Sequence, residues 1–326
     1  MSGNSGYTRL MVTGASGFIG RHLLNFLLAL PKGPVRIIAL DKKAQCHAPS
    51  SPRIEQVICD LTEPRDVQNV FRKTQPDGII HLAGRTTGSD LSRYIAVNVL
   101  GCENILSAAA QRERPPRLLI TGSAAEYGLT SGTYEVIDEQ RPLQAKTAYG
   151  ISKIMQEKWA LLYYYEKALP VICVRPFNVI GPGQSAHLVP ATFLYQIAEV
   201  LNGNAHEVCV GNINTARDFI DVKDLVAAFW ALMNAGAEAE GEVFNISSGQ
   251  PIKIADILDA CIALSGQQMP VRQDPHRLKA YDVPVIIGDN SKLRRFTGWQ
   301  CKISWQDSLA AMWDDIRSTE IKKSAL

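Results

Sequence analysis

Tyr149 and Lys153 stand four residues apart in Thr147-Ala148-Tyr149-Gly150-Ile151-Ser152-Lys153. On a helix that spacing puts a phenol and an ammonium on one face, one turn apart. A phenol ionises near pH ~10, so alone it is a poor acid–base group at neutral pH. A cation beside it stabilises the phenolate and draws that value toward working pH. Such a pair can give a proton to a substrate oxygen or take one from it. Tyr-x-x-x-Lys also arises on ordinary solvated helix faces, so its meaning depends on what the preceding residues build.

Those residues build a dinucleotide platform. Gly14-Ala15-Ser16-Gly17-Phe18-Ile19-Gly20 lies between an apolar run at 9–13 and an amphipathic helical pattern at 21–30 that Pro31 and Gly33 end. Strand, glycine turn and helix in that order let the backbone approach a pyrophosphate, and the helix N-terminus offers free N–H groups. A second strand at 35–40 ends on Asp41, placed to accept hydrogen bonds from ribose hydroxyls and to repel a 2′-phosphate. That favours NAD, while Lys42 and Lys43 leave NADP open. The apolar run at 54–58 leads to Cys59-Asp60-Leu61, where Asp60 can meet the adenine amino group. Residues 78–84 form a strand entering the small turn Leu82-Ala83-Gly84, over which a cofactor can lie; His81 reads as a packed strand histidine. Helical patterns at 66–73 and 95–110 and a strand at 118–121 complete an alternation that predicts an α/β fold with a doubly wound parallel sheet.

Gly122-Ser123-Ala124-Ala125-Glu126-Tyr127-Gly128 follows at the carboxyl edge of that sheet. The glycine turn, the Ser123 turn and Tyr149-x-x-x-Lys153, in this order, resemble the extended short-chain dehydrogenase/reductase family nearly end to end. The resemblance implies a Rossmann domain over 1–175 and a smaller C-terminal α/β substrate lobe over 176–326, with some segments returning to the first domain. It implies NAD or NADP as cofactor. Ser123 would orient the substrate oxygen and Tyr149 would be the general acid–base. Lys153 would bind the nicotinamide ribose and lower the Tyr149 pKa. Asn98 would brace the catalytic helix, and Pro176 would lie by the nicotinamide. Dehydratases of this family carry an acid two residues after the Ser or Thr; here that position is Ala125, which counts against dehydration. Glu126, one residue later, would aim elsewhere on the substrate side.

Arg175-Pro176-Phe177-Asn178-Val179-Ile180-Gly181-Pro182-Gly183-Gln184 and Arg217-Asp218-Phe219-Ile220-Asp221-Val222-Lys223-Asp224 resemble the nucleotide-sugar branch. With Asp274-Pro275-His276-Arg277-Leu278-Lys279 they resemble the reductases of GDP-4-keto-6-deoxymannose. The resemblance implies reduction of a 4-keto group on a nucleotide-linked 6-deoxyhexose, with a 4-epimerase holding NAD as the alternative and a non-catalytic nucleotide sensor as a third. Asn178, Arg217 and Lys279 would hold the diphosphate. Arg85, Ala125, Glu126, Leu188 and Val189 would complete the substrate side. Lys279 replaces the family's usual Arg and loses its forked geometry.

Further helices are expected at 189–202, at 225–233 with Asp224 as cap, at 254–265 and at 305–316. The helices near 95–110 and 149–167 would pair two copies into a homodimer, with Trp159, Leu161, Leu162 and Tyr163 to Tyr165 supplying apolar surface. The 326 residues suit one large domain or a domain with a lobe. A net charge of +2 with no dense basic run argues against nucleic acid. Seven scattered cysteines show no zinc or redox spacing, predict no metal and suit a reducing cytoplasm. A polar, Gly/Ser-rich start and the short apolar stretch at 23–30 predict neither signal peptide nor membrane span.

Overall fold

The computed structural model describes residues 6–43, 49–88, 90–128, 136–278 and 285–324. The chain opens with β1 (Arg9–Thr13), α1 (Phe18–Ala29), β2 (Arg36–Asp41), β3 (Ile54–Ile58), α2 (Pro64–Thr74) and β4 (Gly78–His81). Next, α3 (Leu91–Tyr94) passes through a π-helical turn, Ile95–Leu100, into α4 (Gly101–Ala110). Then come β5 (Arg117–Thr121), β6 (Val136–Ile137), α5 (Ala148–Lys167) and β7 (Val171–Pro176). The second half holds β8 (Asn178–Ile180), α6 (Val189–Leu201), β9 (Val208–Val210), β10 (Ala216–Arg217), β11 (Phe219–Asp221) and α7 (Val222–Met233). It closes with β12 (Val243–Ile246), β13 (Ile252–Lys253), α8 (Ile254–Ser265), β14 (Val271–Gln273), β15 (Val285–Gly288), α9 (Ser291–Thr297) and α10 (Trp305–Ser324).

Seven strands form one parallel sheet in the order β12-β7-β5-β4-β1-β2-β3. Both faces are covered, which is why β1, β4, β5 and β7 read as nearly unbroken apolar runs. Successive residues serve opposite faces. Leu10 and Val12 join a core with α1, α7 and α9, while Met11 joins one with α2, α4 and α5. Ile172 and Val174 against Val171 and Cys173 repeat the pattern on β7. Strand order reverses between β1 and β4, and in such sheets the crevice at that point takes the ligand. A third core gathers α6, α8 and α10 around β9 and β11.

Three segments beyond residue 176 return to the large sheet, α9 among them. β12 is its edge strand, and α7 packs in the α1 core. The helix expected at 225–233 begins three residues earlier, and its cap is Asp221, which accepts from Lys223 N at 2.7 Å. Asp224 instead accepts from Lys302 N (2.9 Å) and Ile303 N (2.8 Å), tying the loop before α10 to α7. The apolar surface expected on α5 is split. Leu161, Tyr163 and Tyr164 pack into the sheet core, while Ile151, Met155, Trp159, Leu162 and Tyr165 are exposed. Among the described residues no helix is long and apolar enough to cross a membrane.

Candidate active site

β5 ends at Thr121, and the chain turns through Gly122 and Ser123 into the 3₁₀ turn Ala124–Glu126. The Ser123 Oγ accepts from Ala125 N at 3.1 Å, and the Glu126 carboxylate accepts from Ser123 N at 2.7 Å. This reciprocal capping box fixes the serine rotamer. Because Oγ already accepts from the backbone, its own hydrogen remains to be donated. Tyr149 is in the first turn of α5, whose cap Thr147 accepts from Gly150 N at 3.0 Å. Gly150 lets the two units meet: a Cβ there would lie 2.5 Å from the Ala125 carbonyl oxygen. The Tyr149 phenol is thereby brought near enough to the Ser123 side chain for the serine to favour its ionised form.

Lys153 is buried one turn further along α5. Its Nζ donates to Thr121 O and to Gln156 Oε1, each at 2.8 Å. Burial pushes the Lys153 pKa down to about 8, against the pull of Glu126. The expected lowering of Tyr149 by Lys153 is corrected by this geometry. Burial raises the Tyr149 pKa; the Ser123 side chain opposes it, and the Glu126 charge and Tyr94 add to it. The ammonium is turned to a carbonyl and an amide beneath the site. Tyr149 is therefore held protonated at neutral pH.

Asn98 lies in the π-helical turn and is fully buried. Its Nδ2 donates to Ser152 Oγ (2.8 Å) and Arg85 O (3.1 Å), and its Oδ1 accepts from Arg85 N (2.7 Å). Ser152 in turn donates to Tyr149 O at 2.7 Å. The bracing expected of Asn98 thus runs through the Ser152 hydroxyl, and it also secures the loop after β4. Gly84 on that loop faces the catalytic helix: a Cβ there would stand 3.3 Å from both Lys153 Nζ and Asn98 Oδ1.

The glycine turn forms the other wall. Gly14 has φ +68°, and a Cβ on it would lie 2.8 Å from Ala83 N; one on Gly20 would lie 2.4 Å from Gly14 O. The turns after β1 and β4 are therefore in backbone contact at the sheet's switch point. Gly17 caps α1 without a side-chain bond, and no acid stands in the helix's first turn, so its first N–H groups around Phe18 and Ile19 suit an anion. At the end of β2, Asp41 accepts from Ser16 N (3.1 Å) and Ser16 Oγ (2.5 Å), with Lys42 exposed beside it. Asp60 is exposed and turned to its own loop: it accepts from Thr62 N and Oγ1, which lower its pKa. Leu61 is buried and its carbonyl accepts from Asn104, so it supports the floor. Leu82 and Ala83 are half-buried, and Pro176 is buried at the end of β7. Small turns, a bare helix N-terminus and an acid at the second strand fit a dinucleotide.

Residues 10–247 match the NAD dependent epimerase/dehydratase family. The chain belongs to that family. It is thus an NAD(P)-dependent enzyme and an extended short-chain dehydrogenase/reductase. It is similar to the GDP-6-deoxy-D-mannose reductase of Pseudomonas aeruginosa, 32% identical over 315 residues covering 95% of this chain and 97% of that protein. The structure of RMD from P. aeruginosa complexed with NADPH superposes with a TM-score of 0.81 at 29% identity, covering 96% of this chain and 99% of the other. The UDP-glucose 4-epimerase of Thermus thermophilus in complex with NAD has a TM-score of 0.81 at 26% identity, covering 95% and 99%.

In this family member the substrate-side expectations divide. Asn178 is exposed, and its Nδ2 donates to Asp218 O at 2.8 Å, beside Arg217. Arg217 on β10 donates from Nη1 to Ala216 O. Asp218 is a structural knot: its buried carboxylate accepts from Ser248 N and Oγ, Gly249 N and Gly288 N. Leu188 and Val189 are exposed at the start of α6. Ala125 is half-buried beside Ser123, and Arg85 sits with its guanidinium 6.0 Å from the Tyr94 ring. Glu126 is corrected: it is fully buried beneath Ser123, because the capping box turns its carboxylate back to the backbone, and it does not face a substrate. Lys279 lies outside the described residues. His81 is buried, with Nδ1 2.8 Å from Thr13 Oγ1, and burial drives its pKa to about 3.

Sequence reasoning missed Gln156 under Lys153, Ser152 under Tyr149 and the buried Arg175–Glu157 pair. One signal was available. Ser123-x-x-Glu126 is a capping-box pattern, and it states where the Glu points.

Proposed function

We propose that the protein reduces the 4-keto group of a nucleotide-linked 6-deoxyhexose, GDP-4-keto-6-deoxymannose being the substrate most in keeping with its relatives. The observation that carries the reading is the close approach of the Ser123 turn to the Tyr149 turn of α5, above a buried Lys153 and facing the glycine-lined crevice. NADH or NADPH, when bound, supplies the hydride. Ser123 donates to the carbonyl oxygen and fixes its position. Tyr149, held protonated, delivers a proton to that oxygen as it gains charge. Asn178 and Arg217 sit together at one edge, where an amide and a guanidinium suit a diphosphate.

A second reading, 4-epimerisation with retained NAD, is favoured by the likeness to the T. thermophilus epimerase. Mixing the protein with GDP-4-keto-6-deoxymannose and NADH or NADPH separates the two. The reductase consumes one equivalent of reduced nicotinamide per ketosugar. No consumption, with NAD retained through purification and nucleotide hexoses interconverted at C4, would establish the epimerase instead.

The exposed apolar stripe Ile151, Met155, Trp159 and Leu162 on α5, with Ile95 and Leu100 beside it, supports a homodimer. The cysteines among the described residues are free thiols, which suits the cytoplasm as compartment.

A further inference from the structure

Beneath the reaction centre lies a group of buried charges. Arg175 is bound from both sides of its fork by Glu157: Nε donates to Oε2 and Nη2 to Oε1, each at 2.7 Å. Its Nη1 donates to Tyr127 Oη at 2.9 Å. The guanidinium is thereby matched by one carboxylate. Glu126 is a second carboxylate in the same space, fully buried, with Oε2 3.5 Å from Arg175 Nε. That oxygen has no hydrogen-bond partner among the described residues, whereas Oε1 holds Ser123 N. Gly122 makes the room, since a Cβ there would be 2.3 Å from Glu126 Oε1. An isolated buried carboxylate is costly. A second buried cation, Lys153, makes this one more tolerable, and it is held to Thr121 O two residues before Ser123.

We infer that Glu126 is a positioning residue for the reaction centre: its carboxylate holds Ser123 in the donor setting, and its charge acts on both Tyr149 and Lys153 from below. The groups facing it are Glu157, Lys153 and Tyr149 on α5 and Arg175 and Cys173 on β7. Burial and then the Glu157 charge push Glu126 up to about 8, with Arg175 and Lys153 opposing. Above that pH the carboxylate is charged. Its charge then stabilises protonated Lys153 and disfavours ionised Tyr149. Below that pH Glu126 is neutral and serves Ser123 as an acceptor alone, so its charge bears on Tyr149 at the alkaline pH where the phenol titrates.

Two variants separate the bond from the charge. Glu126→Gln keeps an acceptor for Ser123 N and removes the charge. Glu126→Asp keeps the charge and withdraws the acceptor by one methylene. Arg175 retains Glu157 in both, so both should fold, as circular dichroism and thermal melting would verify. The Tyr149 titration is read by tyrosinate difference absorbance against a matched Tyr149→Phe protein, a readout independent of the proposed reaction. Glu126→Gln should lower the midpoint by about one pH unit, a tenfold change in ionisation. Glu126→Asp should leave it in place. Turnover, which rests on the reductase reading, should fall about tenfold in Glu126→Asp alone, whereas Glu126→Asp should add little to the loss that Ser123→Ala causes. An unmoved Tyr149 midpoint in folded Glu126→Gln overturns the charge role. Full additivity of Glu126→Asp with Ser123→Ala overturns the positioning role. If Glu126→Gln does not fold, Glu126→Asp decides alone: a shifted midpoint together with unchanged turnover refutes the inference.

Discussion

Gly150→Ala would place a Cβ 2.5 Å from the Ala125 carbonyl oxygen and 2.9 Å from the Ala145 Cβ. Both neighbours belong to the segment that α5 packs against, and the oxygen is backbone, so the helix start and the Ser123 turn must separate by about half an ångström. Alanine recovers up to ~1 kcal/mol of helix propensity. Overpacking costs ~1–3 kcal/mol. The net loss of stability should therefore be small, about 0–2 kcal/mol, a shift of a few degrees in calorimetric Tm. Catalysis should suffer more. A misplacement of ~1 Å can cost about a hundredfold, so half of that should lower kcat about tenfold. Cofactor affinity, read by fluorescence titration, should stay near the parent value, because the Gly14 turn is untouched. Parent kcat at parent Tm would show that this close approach does not set the Ser123–Tyr149 geometry.

Tyr149→Phe should lower kcat by about 10²–10⁴ while the cofactor Kd stays within about twofold; retained turnover would remove Tyr149 from the proton step. Asp41→Ala should raise the affinity for NADPH relative to NADH by about tenfold, since the carboxylate held by Ser16 is the group a 2′-phosphate would meet; unchanged relative Kd values would place discrimination elsewhere. His81 binds a proton near pH 6.5 when unfolded and only near pH 3 when folded. The unfolded state then holds more protons across that window, so stability should fall as pH falls, by up to roughly 5 kcal/mol at pH ~3. In urea melts across that range His81→Asn should flatten the slope, and an unchanged slope would assign the acid sensitivity to other groups. Trp159→Glu should convert a dimer to a monomer in sedimentation, and a parent-like sedimentation coefficient would refute α5 as the dimer face.

The large sheet was legible because burial on both faces leaves apolar runs that nothing else explains, as at 9–13, 36–40 and 118–121. The glycine turn was legible for a related reason: Gly17, Gly20 and the positive φ of Gly14 answer to backbone geometry that is local in sequence, although Gly14 also meets distant Ala83. What was hidden depends on distant partners. Asp221 and Asp224 are chemically identical cap candidates three residues apart, and only Lys302 and Ile303, far along the chain, claim the second. The π-helical turn that carries Asn98 inward leaves no periodicity of its own in a short apolar run. Lys153 shares a helix face with Tyr149, but its direction was set by Thr121 O and Gln156, so the pairwise rule for the phenol's pKa did not hold. Glu126 faced inward because the Ser123-x-x-Glu126 capping box closes a 3₁₀ turn, a signal the spacing did carry.

Hydride should reach the sugar carbon bonded to the oxygen held by Ser123 and Tyr149, and on this the proposed reaction stands. Reduced nicotinamide carrying deuterium at its transferable position, incubated with GDP-4-keto-6-deoxymannose and the protein, tests it through mass and NMR analysis of the sugar. The expected product is a GDP-deoxyhexose with one deuterium at C4, formed by the parent and nearly absent with Tyr149→Phe. A product without deuterium at C4, or label transfer undiminished in Tyr149→Phe, would contradict it.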